Sequence, residues 1–397
     1  GAAHGGVSTW GDARAAALPD GSAHRADLAS LYELTGCPPW PVYAPARLPW
    51  LRRAADGGPN SGARVQTLKE WIFHRFTGHD WIDFVTASTT GLLDIRRREW
   101  SSAALSAAGI QAGALPELVP SSAAAPLLGL IARGVGLPGP VPMIVGAADG
   151  PLVNLALGAD APGDISLSMG TTAAVRLVTA EPWIDPGGRT WCYRFHPDGF
   201  IVGGAVNNAG LLLDWARRVL YAGVSTQAGF QMLLGEDVRT VPPGADGVRM
   251  RPFLVAERDP AAGAPAASFE GVLERHGRPH LARAVVDAVA MSLAALGDIL
   301  LQSGHASGHI SIAGLPARYP AVGQIICDCL GRPVRLARLP DASAIGAALI
   351  GYEALGMDRP PVPAETRWLA PEPNAAAAYS RLRCDPLGAE PRQAIAR

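Results

Sequence analysis

Two short stretches hold residue types that could move a phosphoryl group. Val145-Gly146-Ala147-Ala148-Asp149-Gly150 sets one carboxylate among residues too small to crowd a substrate. Leu167-Ser168-Met169-Gly170-Thr171-Thr172 offers a glycine and two hydroxyls at the end of the alternating run Ile165-Ser166-Leu167-Ser168-Met169, which reads as a strand. A tight glycine turn exposes successive backbone N–H groups, and threonine hydroxyls add neutral donors, so the second stretch suits a phosphate. A carboxylate that takes a hydroxyl proton beside such a cradle is the minimum for phosphoryl transfer, provided a nucleotide and a metal ion are held there. Asp149 also has a plainer reading, as the cap of a helix beginning at Pro151, and both roles can hold at once. A strand followed by Gly-Thr-Thr equally describes many β-hairpins, and its short interval from Asp149 is what gives it weight.

Other elements must bring these residues into place. Pro142-Met143-Ile144-Val145 is a continuous apolar run of the kind found in a strand buried on both faces, and it would deliver Asp149 to that strand's end. Strands at residues 191–195 and 200–202 lead to Gly203-Gly204-Ala205-Val206-Asn207-Asn208-Ala209-Gly210. That stretch opens an amphipathic helix at 211–220; its glycines permit close backbone approach, its asparagines are neutral donors and acceptors, and the helix N-terminus favours an anion. The last third reads as helix 282–302, strand 309–312, loop 314–319, helix 322–330, strand 334–336 and helix 343–355, an α/β layer. Beyond Pro360 lies a Pro- and Ala-rich tail with one polar helical patch near 376–382.

Toward the N-terminus, Leu28, Leu31 and Leu34 recur at helical spacing, Gly36-Cys37-Pro38-Pro39 stops them, and Leu48, Trp50 and Leu51 resume. Tyr43 projects from this corner, toward a ligand or into the core. His4, among Gly and Ala, is either a solvated residue or a ligand for a sugar hydroxyl. Residues 67–77 predict a helix with Leu68, Trp71, Ile72 and Phe76 on one face, Lys69 and Glu70 opposite, and Gly78 closing it. Residues 84–94 suit a buried helix or turn, and Arg96-Arg97-Arg98 a solvated turn.

The bulk properties narrow the function. The 397 residues allow two or three domains, and 48% hydrophobic content is enough for real cores. Lys+Arg 34 against Asp+Glu 35 leaves a net charge of -1, so neither nucleic acid nor an anionic membrane is called for. Lys69 is the only lysine. The five cysteines are odd in number and mostly far apart, which argues against a disulfide framework; Cys327 and Cys329 read as small buried hydrophobes. No apolar run stands out as membrane-spanning and no charged-then-apolar leader is visible, so a cytoplasmic protein acting on small molecules is expected.

Taken in order, these pieces resemble the FGGY carbohydrate kinases of the actin, hexokinase and Hsp70 superfamily, and within them the gluconokinases. The resemblance is carried by Trp10-Gly11-Asp12-Ala13-Arg14-Ala15, by Thr35-Gly36-Cys37-Pro38 with Pro41, Tyr43, Leu48, Trp50, Leu51 and Arg52, and by Lys69-Glu70-Trp71. It continues through Gly146 to Gly150 with Asn154 and Leu155, Gly170-Thr171-Thr172, Cys192-Tyr193, Gly203 to Asn208, Glu257-Arg258 with Pro260, and Ala342-Ser343-Ala344-Ile345-Gly346-Ala347-Ala348. Asp149-Gly150 and the Asn207-Asn208 pair lean toward gluconate rather than xylulose or glycerol.

The resemblance implies an α/β protein of two ribonuclease-H-like (actin-like ATPase) domains with a cleft between them. Residues 1–158 would be the sugar-binding domain, 159–358 the nucleotide-binding domain and 359–397 a C-terminal tail. It implies ATP and Mg²⁺, with Asp149 as general base, His4, Tyr43, Asp149 and Gly150 on the sugar side, and Gly170, Thr171, Thr172, Gly210 and Gly314 on the nucleotide side; no metal ligand is assigned. Two departures stand against it. The family's opening Asp-x-Gly-Thr phosphate loop has no counterpart in this sequence, so the first domain reads as incomplete, with apolar edges exposed unless another chain, such as a second copy in a homodimer, covers them. The glycine-rich adenosine loop reads Gly314-Leu315-Pro316-Ala317, where Leu315 adds a side chain and Pro316 removes an N–H. The alternatives are a catalytically impaired pseudokinase that binds a sugar acid or a protein partner, and a kinase for another substrate such as xylulose.

Overall fold

The computed structural model describes residues 8–10, 15, 28–54, 64–139, 141–259, 263–362 and 364–384, the side chains of 52–54 and 384 excepted. These residues fold into two compact units. The first comprises the described residues of Gly1–Pro162, Val178–Val202 and Asp341–Val362; the second, those of Gly163–Leu177, Gly203–Pro340 and Pro363–Arg397.

The chain opens with helices α1 (Tyr32–Thr35), α2 (Ala44–Ala54) and α3 (Leu68–Thr77), then strand β1 (Trp81–Asp83) and helix α4 (Phe84–Ser88). A hairpin of β2 (Leu93–Asp94) and β3 (Glu99–Trp100) leads to α5 (Ser102–Ala108), β4 (Glu117–Val119), β5 (Ala124–Pro126), α6 (Gly129–Gly134), β6 (Pro142–Ile144) and α7 (Asp149–Ala156). Local signals set these ends. Ser101 caps α5 by accepting the Ala104 N–H, and left-handed Gly109 closes it. A core of Leu28, Leu31, Ala46, Leu92, Leu105 and Leu115 joins the first helices to α5.

Two sequence expectations fail here. Helix α3 buries Glu70, Phe73 and Thr77, while Leu68, Trp71 and Phe76 are 56%, 49% and 39% exposed. The buried face is thus the one assigned to the polar side, because Glu70 is satisfied in place: its Oε2 accepts the Thr67 N–H at 3.1 Å in a capping box. Strand β6 is not doubly buried either. It pairs antiparallel with β5, Pro142 facing Pro126, and Pro142 is exposed. A proline lacks the N–H that an inner strand must donate, which confines it to an edge.

The chain continues with β7 (Ile165–Met169), β8 (Ala173–Thr179), β9 (Trp191–Arg194), β10 (Phe200–Val206), α8 (Gly210–Leu220), α9 (Thr226–Gln231), a π-helix (Met232–Asp237), β11 (Arg249–Arg251) and β12 (Ser268–Glu270). It ends with α10 (Arg278–Gln302), β13 (Ile310–Gly314), α11 (Leu315–Arg318), α12 (Pro320–Leu330), β14 (Val334–Arg338), α13 (Ala342–Ala354), β15 (Glu365–Leu369) and α14 (Pro373–Cys384). In the second unit the sheet runs β15-β14-β13-β7-β8-β10, with β13 parallel to both β14 and β7, and β7 antiparallel to β8. Leu167, Leu177 and Ile312 are fully buried in it. The alternation around β7 predicted this strand correctly, and Gly203 to Val206, placed after the strand at 200–202 in the stretch that opens a helix, extends β10 instead.

Two further differences concern the last third. Helix α10 is long and apolar enough to cross a membrane by length and composition, with a mean hydropathy of 1.9, a property missed in the sequence. It buries Val285, Val289 and Leu293 within the unit, as a core helix does. The segment read as a tail supplies β15, antiparallel to β14, and α14, whose Tyr379 is 0% exposed. Tyr379 Oη donates to Asp287 Oδ1 at 2.6 Å, and Arg283 donates to Tyr379 Oη at 2.6 Å and to the Val238 and Val241 carbonyls. Buried Tyr379, with Leu382 beside Gly244 and Arg383 paired with Asp298, docks this helix within the second unit.

Candidate active site

In the second unit, Gly170, Thr171 and Thr172 form the exposed turn between β7 and β8, closed by a Gly170 N–H to Thr172 carbonyl bond of 2.9 Å. Gly210, the first residue of α8, lies against one side: a Cβ there would stand 2.0 Å from the Gly170 carbonyl oxygen, and the Leu211 N–H donates to the Thr171 carbonyl at 2.8 Å. Gly314, at the end of β13, lies against the other. Its φ is +89°, and a Cβ would stand 2.2 Å from the Met169 carbonyl oxygen. The fold therefore gathers all five residues expected on the nucleotide side into one neighbourhood built of backbone, with no room for a side chain at either glycine.

The loop after Gly314 is a helical turn. Pro316 occupies its first positions, where a helix leaves N–H groups unpaired in any case, and is buried there. The Asn207-Asn208 pair is not left as free donors. The Asn207 and Asn208 N–H groups donate to Glu257 Oε2 and Oε1 at 2.7 and 3.1 Å, and the two side-chain amides donate to the Ala256 and Val255 carbonyls. Glu257, noticed in the sequence only as part of a motif, supplies the negative charge at these N–H groups itself.

In the first unit, Asp149 is the first residue of α7 and is exposed. The N-cap is Ala148, so Asp149 stands inside the first turn rather than capping a helix that begins at Pro151. Its Oδ1 accepts the Gly150 N–H at 2.8 Å. Helix α13 braces α7 from behind: a Cβ at Gly346 would lie 2.0 Å from the Leu152 carbonyl oxygen, one turn beyond Asp149. Buried Asn154 closes the far end by donating to the Ala159 carbonyl at 3.0 Å.

Tyr43 is 3% exposed, with its hydroxyl 2.6 Å from that of Tyr193. Its ring stacks on Trp40 at 6.2 Å and meets Trp10 edge-on at 6.1 Å. His4 lies outside the described residues. Among the described residues, burial pushes the thiols of Cys192 and Cys327 up to about 12 and that of Cys37 well above its ordinary value, which keeps them protonated and unreactive.

Comparison with known proteins agrees with this geometry. Residues 5–156 match the N-terminal domain of the FGGY family of carbohydrate kinases, and residues 165–355 match its C-terminal domain. A gluconokinase of Bacillus subtilis is 29% identical over 364 residues, covering 88% of this chain and 69% of that protein. A xylulose kinase of the same organism is 28% identical over 285 residues, 71% of this chain and 56% of that protein. Among solved structures, a ligand-bound xylulose kinase and a gluconate kinase, both from Lactobacillus acidophilus, superpose with TM-scores of 0.84 at 26% and 25% identity, each covering 95% of this chain and 77% of the other. The fold is thus the α/β, two-domain actin-like ATPase fold. The chain belongs to the FGGY family of carbohydrate kinases, phosphotransferases that act on sugars.

Proposed function

We propose that this protein transfers the γ-phosphoryl group of ATP to a hydroxyl of a sugar acid, D-gluconate giving 6-phosphogluconate, with the unit that holds Asp149 serving the sugar and the unit that holds Gly170 serving the nucleotide. The observation that carries the reading is the β7–β8 turn held between Gly210 and Gly314, a backbone surface open to a phosphate chain. Gly170, Thr171 and Thr172 would bind the phosphates, with Gly210 beside them and Gly314 toward the adenosine. Asp149 would act as general base, the hydroxyl proton passing to Oδ2 as the oxygen attacks phosphorus in line. The Gly150 N–H bond to Oδ1 supports Oδ2 as the oxygen that would receive that proton. On the sugar side, Tyr43 belongs to an aromatic wall with Trp40 and Trp10, and His4 would add a sugar ligand.

Mg²⁺ takes mostly phosphate and water oxygens with few protein ligands, and the exposed hydroxyls of Thr171 and Thr172 are oxygen donors beside the turn proposed for the phosphates. Bound with the nucleotide, it would neutralise charge on the transferred group. Gluconate is favoured by the similarity to gluconokinases, and a cytoplasmic location fits a reaction that consumes ATP. Pro316, which with Leu315 and the missing Asp-x-Gly-Thr loop motivated an impaired-enzyme reading, sits in a helical first turn that has no use for its N–H. A coupled ADP-release assay over gluconate, xylulose, L-fuculose and glycerol tests the proposal. Gluconate should give the highest kcat/KM; turnover of another sugar alone would move the substrate, and turnover of none would overturn the function.

A further inference from the structure

The single lysine stands where three elements of the first unit meet. From α3, Lys69 Nζ donates to Asp83 Oδ2 at 2.6 Å and to the Val145 carbonyl at 3.2 Å, and lies 3.3 Å from Glu70 Oε1. The Asp83 and Glu70 side chains are 0% exposed, that of Lys69 29%. The other Asp83 oxygen accepts the Thr86 N–H at 2.9 Å and the Ser121 hydroxyl at 3.2 Å. The Ser121 carbonyl in turn accepts the Gly146 N–H at 3.0 Å, and the Val145 N–H donates to Ala123 at 2.9 Å. Val145 also packs with Phe73 of α3, so the lysine's own helix grips the same residue by apolar contact. Both residues that carry β6 into the Asp149 loop are therefore tied to one buried polar group.

Charge makes the ammonium hard to replace. Two buried carboxylates face one cation, and a buried carboxylate left without its partner is strongly destabilising. Burial pushes the Glu70 carboxyl up, with Lys69 opposing it. An arrangement that merely filled space would use apolar side chains. This one spends the chain's only ammonium on a carbonyl four residues before Asp149.

We propose that Lys69 is a positioning residue for phosphoryl transfer: through the Val145 carbonyl and the Asp83–Ser121 pair it fixes the loop that aims the Asp149 carboxylate. This rests on the reading of Asp149 as the base. Catalysis is sensitive to such aim, since a misplacement of about 1 Å can cost on the order of a hundredfold.

The test compares Lys69→Met, Lys69→Arg and the double variant Lys69→Met/Asp83→Asn, in which the nearer of the two buried carboxylates is neutralised to limit the stability lost with the ammonium. Two readouts are taken: steady-state kinetics with gluconate and Mg·ATP, and amide hydrogen exchange of residues 143–152. The double variant should unfold as cooperatively as the wild type yet lose roughly tenfold or more in kcat, with KM for ATP changed by less than about twofold. Exchange at 145–150 should quicken, and Lys69→Arg should recover part of kcat. An unchanged kcat with unchanged loop exchange in the double variant would overturn the proposal. If Asp149→Asn keeps full turnover, the base assignment fails; if it abolishes turnover while the lysine variants keep theirs, only the positioning role fails. Should no sugar be turned over by the wild type, the proposed function falls, and the exchange measurement alone decides whether Lys69 holds the loop.

Discussion

The two neighbourhoods proposed to do the chemistry are built in opposite ways. On the phosphate side the surface is backbone, and the glycines that shape it touch that backbone directly, Gly210 at Gly170 and Gly314 at Met169 just before the turn. On the acceptor side the reactive group is one exposed side chain, and its supports stand behind it: Gly346 against the Leu152 backbone, and Lys69 with Asp83 beneath the incoming strand. A surface of backbone needs close approach and little charge, so glycine suffices. A carboxylate that must point at one hydroxyl needs a rigid base, and buried ion pairs and helix packing provide it.

That contrast can be broken by substitution. The largest effect is expected for Asp149→Asn, which should lower kcat by about 10²–10⁴-fold while gluconate affinity, measured by calorimetry, stays near that of the wild type. Equal loss of binding and turnover would make Asp149 a binding residue instead. Gly346→Ala should act on stability, because its methyl group would overlap the Leu152 carbonyl; a loss of about 1–3 kcal/mol in urea unfolding is expected, and an unchanged midpoint would show that α13 can shift at no cost. Gly210→Ala should act on the ligand: the turn at Gly170 must move, and ATP affinity should fall by about tenfold, ~1.4 kcal/mol, with gluconate affinity kept.

The smallest effect is expected away from both neighbourhoods and serves as their control. Asp185 has its carboxyl held below the ordinary Asp value, chiefly by hydrogen bonds from the Arg189 guanidinium, against an opposing effect of burial. A depressed carboxylate contributes stability above its unfolded value, near 3.9, that is lost as pH falls through the lower folded value. Asp185→Asn should therefore flatten the acid limb of a stability profile below about pH 4 and leave kcat unaltered. A change in kcat would mean that the first unit transmits strain to Asp149 from a distance.

What was legible follows the same division. The strand ending at Met169, the Gly-Thr-Thr turn and the glycine opening α8 could be read directly, since alternation and turn chemistry are local. The apolar face of α3 was misread because Glu70 is buried by partners at Thr67 and Lys69, and a periodicity count treats every carboxylate as solvated. Strand β6 was misread because Met143, Ile144 and Val145 outweighed Pro142, whose missing N–H decides where the strand can lie. The asparagine pair looked like a ligand donor set because Glu257, its partner, lies some fifty residues further along the chain.

The sequence by itself determined the family, the α/β class, the carboxylate and the glycine positions, because each rests on residue type in a short window or on the order of such windows. Only the tertiary structure decided that Gly210 and Gly314 flank one turn, that Gly346 lies on Leu152, and that the sole lysine bridges Asp83 to the loop ahead of Asp149. Those are contacts between segments distant along the chain. They are fixed by packing and by the need to pair every buried charge, and no local pattern encodes which partner will be there.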